Sequence, residues 1–394
     1  MRPDPLGYLA IELDSLKQQG LYRHLRILEG DQSHKTTFDH RQVVNLSSNN
    51  YLGLTTHPKL RERALEATRT LGVGSGSVRT IAGTMDIHME LERRLAAFKK
   101  TEAVVVFQSG FAANAGTVAA VLSKDDVVIS DELNHASIID GARLSRAAIK
   151  VFPHKDVGAA RKILAELPAA QRKLLITDGV FSMDGDLGAV PELCALAEEF
   201  GCIMMVDDAH ASGVFGTNGR GTIDHFGVHG RVDIQVGTLS KAIGALGGYV
   251  AGSRSLIEFL YHRARPFLFS TSHPPAVAAA CIAALDVLEQ EPEIIDRLWE
   301  NTTFFKAGLR ALGFNTGLGE SPITPVIAGD GVLAMKLSDR LFEEGVFAQG
   351  IAFPTVARDK ARVRTIVTAT HTNEELQFAL DVFAKVGREL GILH

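Results

Sequence analysis

The chain is poor in the features that would tie it to a membrane, to nucleic acid or to an oxidising compartment. No stretch approaches the roughly 20 apolar residues that cross a bilayer, and the opening Met1-Arg2-Pro3-Asp4-Pro5 has no apolar signal core. Neither sign of charge forms a long block: 41 basic and 46 acidic side chains leave a net charge of −5, which invites neither nucleic acid nor an anionic lipid surface. Cysteine is scarce. Cys194, Cys202 and Cys281 are odd in number and lack C-x-x-C spacing, so neither a disulfide framework nor a zinc site is expected, and the thiols point to the cytoplasm. No metal is expected elsewhere either: H-E-x-x-H is missing, and His88-Met89-Glu90 has no following cysteine pair, against a zinc hydrolase or deaminase. There is no G-x-S-x-G elbow and no P-loop. The glycines at Gly72, Gly74 and Gly76 fail as a dinucleotide fingerprint, because Ser77 stands where the third glycine belongs and a helical segment, not a strand, precedes them. Repeats and low-complexity tracts are absent too.

What is present is a globular chain of 394 residues, 46% hydrophobic and 22% charged, long enough for a large domain with a smaller companion. Residues 7 to 29 read as two helical pieces carrying Leu9, Leu13, Leu16, Leu21, Leu25 and Leu28, an arm that packs on something else. Thr84 reads as the N-cap of a helix whose inner face is Ile87, Leu91, Leu95 and Phe98. From Ala103 onward short Val/Ile-rich runs alternate with helical stretches: Ala103 to Phe107, Val127 to Ser130, Ile149 to Phe152, Leu174 to Thr177 and Ile203 to Val206. That pattern predicts an α/β fold with a mostly parallel sheet flanked by helices. Two long helices from Pro274 and Glu293 lead into a smaller α+β unit. The expected division is an arm over 1–48, a large domain over 49–288 and a small C-terminal domain over 289–394.

Parallel sheets place ligands at the carboxyl ends of their strands, and polar residues gather there. Ser109-Gly110-Phe111 ends a strand and opens a helix, whose free N–H groups attract phosphate. His135, Asp178 with Ser182, and Asp207-Asp208-Ala209-His210 end the next strands. Thr238-Leu239-Ser240-Lys241 follows another, ahead of Gly244, Gly247 and Gly248. A lysine in a tight loop between strands can be desolvated, which lowers its pKa and lets its amine attack a carbonyl. An acid ending a buried strand needs a positive partner. Asp207 on a protonated ring nitrogen and Lys241 in imine linkage with an aldehyde are the two ends of one ligand, pyridoxal phosphate. His210 would meet the ring hydroxyl and His135 the ring face.

These elements resemble the α-oxoamine synthase family of pyridoxal phosphate-dependent acyltransferases, within the aspartate-aminotransferase-like fold. Asp131-Glu132-Leu133-Asn134-His135-Ala136-Ser137, Asp178-Gly179-Val180-Phe181-Ser182-Met183-Asp184-Gly185 and Thr238-Leu239-Ser240-Lys241 occur together and in order. The resemblance implies that Lys241, Asp207, His210 and His135 are the catalytic set, with Lys241 carrying the cofactor. It gives Gly110, Phe111, Thr238 and Ser182 as further cofactor contacts. Ser270 and Thr271 would reach the phosphate of a neighbouring subunit, hence a homodimer with shared sites. Arg364 would grip the amino-acid carboxylate, and Asn49, Thr355 and Arg23 are further substrate positions. The implied reaction joins an amino acid to an acyl-CoA. Residues 130–141, 182–185 and 265–270 look closest to the glycine acetyltransferases, which make 2-amino-3-oxobutyrate from glycine and acetyl-CoA in threonine degradation. Pro354-Thr355-Val356 looks instead like the 8-amino-7-oxononanoate synthases of biotin synthesis, which use alanine and pimeloyl-CoA. The expectation is the glycine enzyme, with the oxononanoate synthase or dual specificity as alternatives, and an aminotransferase or a non-catalytic cofactor-binding sensor as readings of other classes.

Overall fold

The computed structural model describes residues 4–19, 22 and 24–393. Its centre is a seven-stranded sheet built from β1 (Ala103–Phe107), β2 (Val127–Asp131), β3 (Ala148–Phe152), β4 (Lys173–Asp178), β5 (Ile203–Asp207), β6 (Ile234–Thr238) and β7 (Gly248–Gly252). The spatial order is β1-β7-β6-β5-β4-β2-β3. All neighbours run parallel except β7, which is antiparallel to both β1 and β6. The Val/Ile runs form strands here because β-branched side chains suit a pleated surface, and both faces are buried. Along β2 the period is visible: Val128 joins the core on one face, while Val127 and Ile129 join the core on the other. The α/β architecture with helices on both sheet faces is as expected from the alternating pattern.

In the carboxyl-terminal third, the helices Pro275–Gln290 and Glu293–Ala311 precede an antiparallel three-stranded sheet of Ile323–Gly329, Ala361–Ile366 and Gln349–Ile351. The helices Gly331–Glu343 and Asn373–Glu389 accompany it, the second opened by a capping box between Thr372 and Glu375. A second small sheet joins distant parts of the chain. Leu28–Glu29, Lys35–Phe38 and Arg41–Asn45 form an antiparallel ribbon, and Val346–Phe347 pairs in parallel with its last strand.

Two local expectations change. Over residues 7 to 29 the structure has one helix, Tyr8–Gln18, with Leu28 in a strand; Leu21 lies outside the described residues. Leu9, Leu13, Leu16 and Leu25 are all exposed. Thr84 is not the N-cap: Met85 is, because Thr84 Oγ1 is committed to Arg79, accepting from its Nε and donating to its carbonyl. Among the described residues no helix is long and apolar enough to cross a membrane.

Candidate active site

Adjacent parallel strands bring Asp178 and Asp207 directly opposite one another at the ends of β4 and β5, with side chains on the same face and backbones ~5 Å apart. Beside them β6 ends at Thr238, and the 239–247 loop carries Lys241. That loop needs glycine: Gly244 has φ +75°, and a Cβ there would sit 2.7 Å from the Thr55 amide nitrogen. Gly248 lets the loop return against the start of the Gly110–Val121 helix, since a Cβ there would lie 2.4 Å from the Ser109 carbonyl oxygen. Around these ends is a cavity of about 200 Å³. It brings together seven of the expected residues, Gly110, Phe111, His135, Asp207, His210, Thr238 and Lys241.

The charges in the cavity are conditioned by burial. The Lys241 amine is pushed down to about 8, first by burial; Asp207 and Asp178 oppose the shift and Arg364 adds to it. Asp178 is raised well above the ordinary carboxylate value, first by burial and then by the neighbouring Asp207, with Lys241 opposing. Asp207 is held by two donors: its Oδ2 accepts from Asn114 Nδ2 at 2.6 Å and its Oδ1 from the Ala209 N–H at 2.9 Å. Burial lowers His135, with Lys241 adding to that effect and Asp207 opposing it. His210 is lowered strongly by burial, Lys241, Arg364 and His135, and remains neutral. Its Nδ1 is 2.8 Å from Tyr51 Oη. Burial raises the Tyr51 phenol, so it keeps its proton and can donate to Nδ1, the arrangement that leaves the His210 proton on Nε2.

The other expected residues lie outside the cavity lining. Arg364 is half-buried on the Ala361–Ile366 strand, where Nη1 donates to the Ser182 carbonyl at 3.1 Å. Its Nε has no partner among the described residues. Thus Ser182 meets Arg364 through its backbone. Asn49 Oδ1 is likewise buried without a partner. Thr355 is exposed in the loop after the Gln349–Ile351 strand, its N–H on the Ala352 carbonyl. Ser270 is half-buried and Thr271 exposed, and the Thr271 carbonyl accepts from Nε2 of Gln108, the residue before Ser109 of the cavity lining. Arg23 lies outside the described residues.

Asn114 and Ser137 line the cavity and were not singled out from the sequence. The signal was there: Asn114 is a polar side chain one turn into a helix of small apolar residues, Gly110 to Val121, where only an inward partner would justify it.

The residues fit pyridoxal phosphate. The first-turn N–H groups at Gly110 and Phe111 lack intrahelical acceptors and face a phosphate-sized end next to the Thr238 and Ser240 hydroxyls. An acid held by two N–H groups, a histidine with a lowered pKa and a lysine with a lowered pKa complete the set of groups that such a ring requires.

Comparison with known proteins agrees. The model for "Aminotransferase class I and II" matches residues 41–383. The 8-amino-7-oxononanoate synthase of Symbiobacterium thermophilum is 62% identical over 387 residues, covering 98% of this chain and 99% of that one. The protein of the same name from Thermoanaerobacter pseudethanolicus is 57% identical over 389 residues, covering 98% of each. Among solved structures, the serine palmitoyltransferase of Sphingomonas wittichii superposes with a TM-score of 0.95 at 31% identity, over the full length of both chains. These relatives overturn the expectation of a glycine acetyltransferase in threonine degradation, since the full-length similarity is to oxononanoate synthases. The physical reason is where the suggestive stretches lie. Of the three stretches only 130–141 lines the cofactor cavity, through His135 and Ser137, while 182–185 and 265–270 contribute nothing to its lining, so none of them reports on the acyl donor. Pro354-Thr355-Val356, which pointed the other way, lies on a loop away from that lining.

Proposed function

The chain belongs to the class I and II aminotransferase family and, within it, to the α-oxoamine synthases, pyridoxal phosphate-dependent acyltransferases; on that premise, we propose that it is an 8-amino-7-oxononanoate synthase, condensing alanine with pimeloyl-CoA and releasing CoA and carbon dioxide. The observation that carries this reading is identity of 62% over 98% of the chain to a protein of that name.

Bound in the cavity, pyridoxal phosphate supplies an aldehyde for an amine and a ring that accepts electrons from the substrate Cα. The chain's own groups do the rest. Lys241 holds the cofactor and, once its amine is free, takes the Cα proton; a pKa near 8 leaves a useful fraction unprotonated at neutral pH. Asp207 would pair with the ring nitrogen, and its two hydrogen bonds fix the orientation of its carboxyl group. The His210 Nε2–H donates to the ring oxygen, and His135 covers the ring face. Gly110, Phe111 and Thr238 bind the phosphate, with Ser182 as a further cofactor contact. Arg364 takes the substrate carboxylate, a task suited to a guanidinium with a buried, unspent Nε–H. Asn49, Thr355 and Arg23 complete the substrate positions in this reading.

Ser270 and Thr271 reach a second subunit's phosphate in a homodimer; support comes from the Thr271 contact with Gln108, next to the cavity lining rather than in it. The division at 1–48, 49–288 and 289–394 is kept, with the arm joined to the small domain through the Val346–Phe347 pairing. A cytoplasmic setting suits the three free thiols.

The test is to assay purified holoenzyme with alanine or glycine against pimeloyl-CoA or acetyl-CoA, reading free thiol and carbon dioxide. Both products are expected with alanine and pimeloyl-CoA. Thiol release confined to acetyl-CoA overturns the substrate assignment.

A further inference from the structure

Asn114 has no role in any motif used so far, yet it touches both arms of the site. Its Nδ2 lies 2.6 Å from Asp207 Oδ2 and 2.9 Å from Ser137 Oγ, and Ser137 Oγ lies 2.7 Å from His135 Nδ1. A carboxylate only accepts, so one amide proton is committed to Asp207 and the second goes to the serine oxygen. The serine hydroxyl is then left to turn its own proton onto His135 Nδ1, which also accepts the Ser137 N–H at 3.2 Å. Every proton in the series is thereby directed. His135 Nδ1 can only accept, and the ring carries its proton on Nε2. Asn114 Oδ1 is buried with no partner among the described residues. A side chain present for stability alone would not hold an orientation that leaves its own acceptor unmet.

We propose that Asn114 is a positioning residue that couples the acid under the cofactor ring to the histidine over its face, giving one N–H to each arm so that the Asp207 carboxyl keeps its orientation and His135 stays in its Nε2–H tautomer. This rests on the reading of Asp207 and His135 given above. Two acids, Asp207 and Asp178, and two basic groups, Lys241 and His210, face His135, so its charge has several masters. Its tautomer depends on Ser137 and Asn114 alone.

The experiment uses full-length protein labelled with ¹⁵N-histidine, apo and loaded with pyridoxal phosphate, as wild type, Asn114→Leu and Ser137→Ala, with melting temperatures as the folding control. In wild-type apoprotein His135 is expected to show a protonated Nε2 and an unprotonated Nδ1. Ser137→Ala leaves only the backbone N–H on Nδ1 and is expected to weaken, without abolishing, the preference for the Nε2–H tautomer, while the cofactor Kd stays within about twofold. Asn114→Leu is expected to mix the tautomers, to raise that Kd at least about tenfold and to shift the pH midpoint of the bound cofactor's visible absorbance. A proton on Nδ1 in the wild type, or a folded Asn114→Leu protein with tautomer, Kd and absorbance unchanged, overturns the proposal. Should Asn114→Leu fail to fold, Asn114→Ser takes its place, and an unchanged tautomer in Ser137→Ala still sinks the histidine arm. Asp207→Asn separates the two levels. If it binds cofactor like the wild type, the reading of Asp207 itself fails; if it loses cofactor while Asn114→Leu does not, only the coupling fails.

Discussion

Tyr51 Oη stands 2.8 Å from His210 Nδ1, and both groups are buried, so a residue from the loop after the Arg41–Asn45 strand fixes the ring of a residue that follows β5. Tyr51→Phe removes the donor and leaves Nδ1 buried and unpaired, freeing His210 to move its proton away from the cavity. The expected outcome is a cofactor Kd raised about tenfold, a loss of about 1.4 kcal/mol, with little change in far-ultraviolet dichroism. Fluorescence titration of apoprotein with pyridoxal phosphate measures it.

Lys241 sets a pH dependence of stability. Its pKa falls from an ordinary 10.5 to about 8 in the folded apoprotein, so the unfolded chain binds the proton more tightly. Stability therefore rises with pH between about 8 and 10.5. Relative to Lys241→Met, the wild-type apoprotein is expected to be less stable at pH 7 by as much as ~3 kcal/mol, the gap closing as pH climbs through that window. Urea unfolding of the pair at pH 7, 8.5 and 10 reads the difference, and Lys241→Met also loses the visible absorbance of the holoenzyme.

Arg364 offers a buried Nε–H with no partner among the described residues and an Nη1 already on the Ser182 carbonyl. Arg364→Lys keeps charge but loses the two-pronged geometry that a carboxylate needs. The KM for the amino acid is expected to rise by roughly 10- to 100-fold, matching about 1.5–3 kcal/mol for a charge-assisted hydrogen bond, with cofactor affinity little changed. Steady-state kinetics over amino-acid concentration decides it.

Behind Asp207, Asp208 forms a fully buried pair with Lys99, Nζ to Oδ2 at 3.0 Å, and also accepts the Thr222 N–H. Lys99→Met strands a buried carboxylate and is expected to cost ~3–5 kcal/mol of stability. Adding Asp208→Asn to Lys99→Met is expected to recover part of that loss, as the neutral amide no longer needs a cation. Chemical denaturation of the wild type, the single and the double variant tests both statements.

Legibility in the sequence followed the range of the interactions. Runs such as Val127-Val128-Ile129 announce strands because burial on both faces demands nothing but apolar, β-branched side chains, and Lys241 stood out because two such strands bracket it. Its cavity partners were found by the strand-end rule, which needs only chain order. Pairings set by distant contacts stayed hidden. Val346–Phe347 is a two-residue strand with no periodicity of its own, and it exists because Arg41–Asn45 offers an edge. The Leu25 and Leu28 spacing imitates a helix, yet Leu25 is 93% exposed and Leu28 is in a strand. Asn114 was masked by the small residues around it. Acyl preference resisted motif reading because none of the matching stretches reports on it, so only similarity along the whole chain separated one acyl donor from another.

The parallel pairing of Arg41–Asn45 with Val346–Phe347 also sets an order of events during synthesis. The strand leaves the ribosome early, but the edge it accepts is made roughly 300 residues later, a wait of about 15–60 s at elongation rates of about 5–20 residues per second. Until then its open edge is a target for other nascent chains, so this early ribbon is the segment that trigger-type holding factors would have most reason to shield.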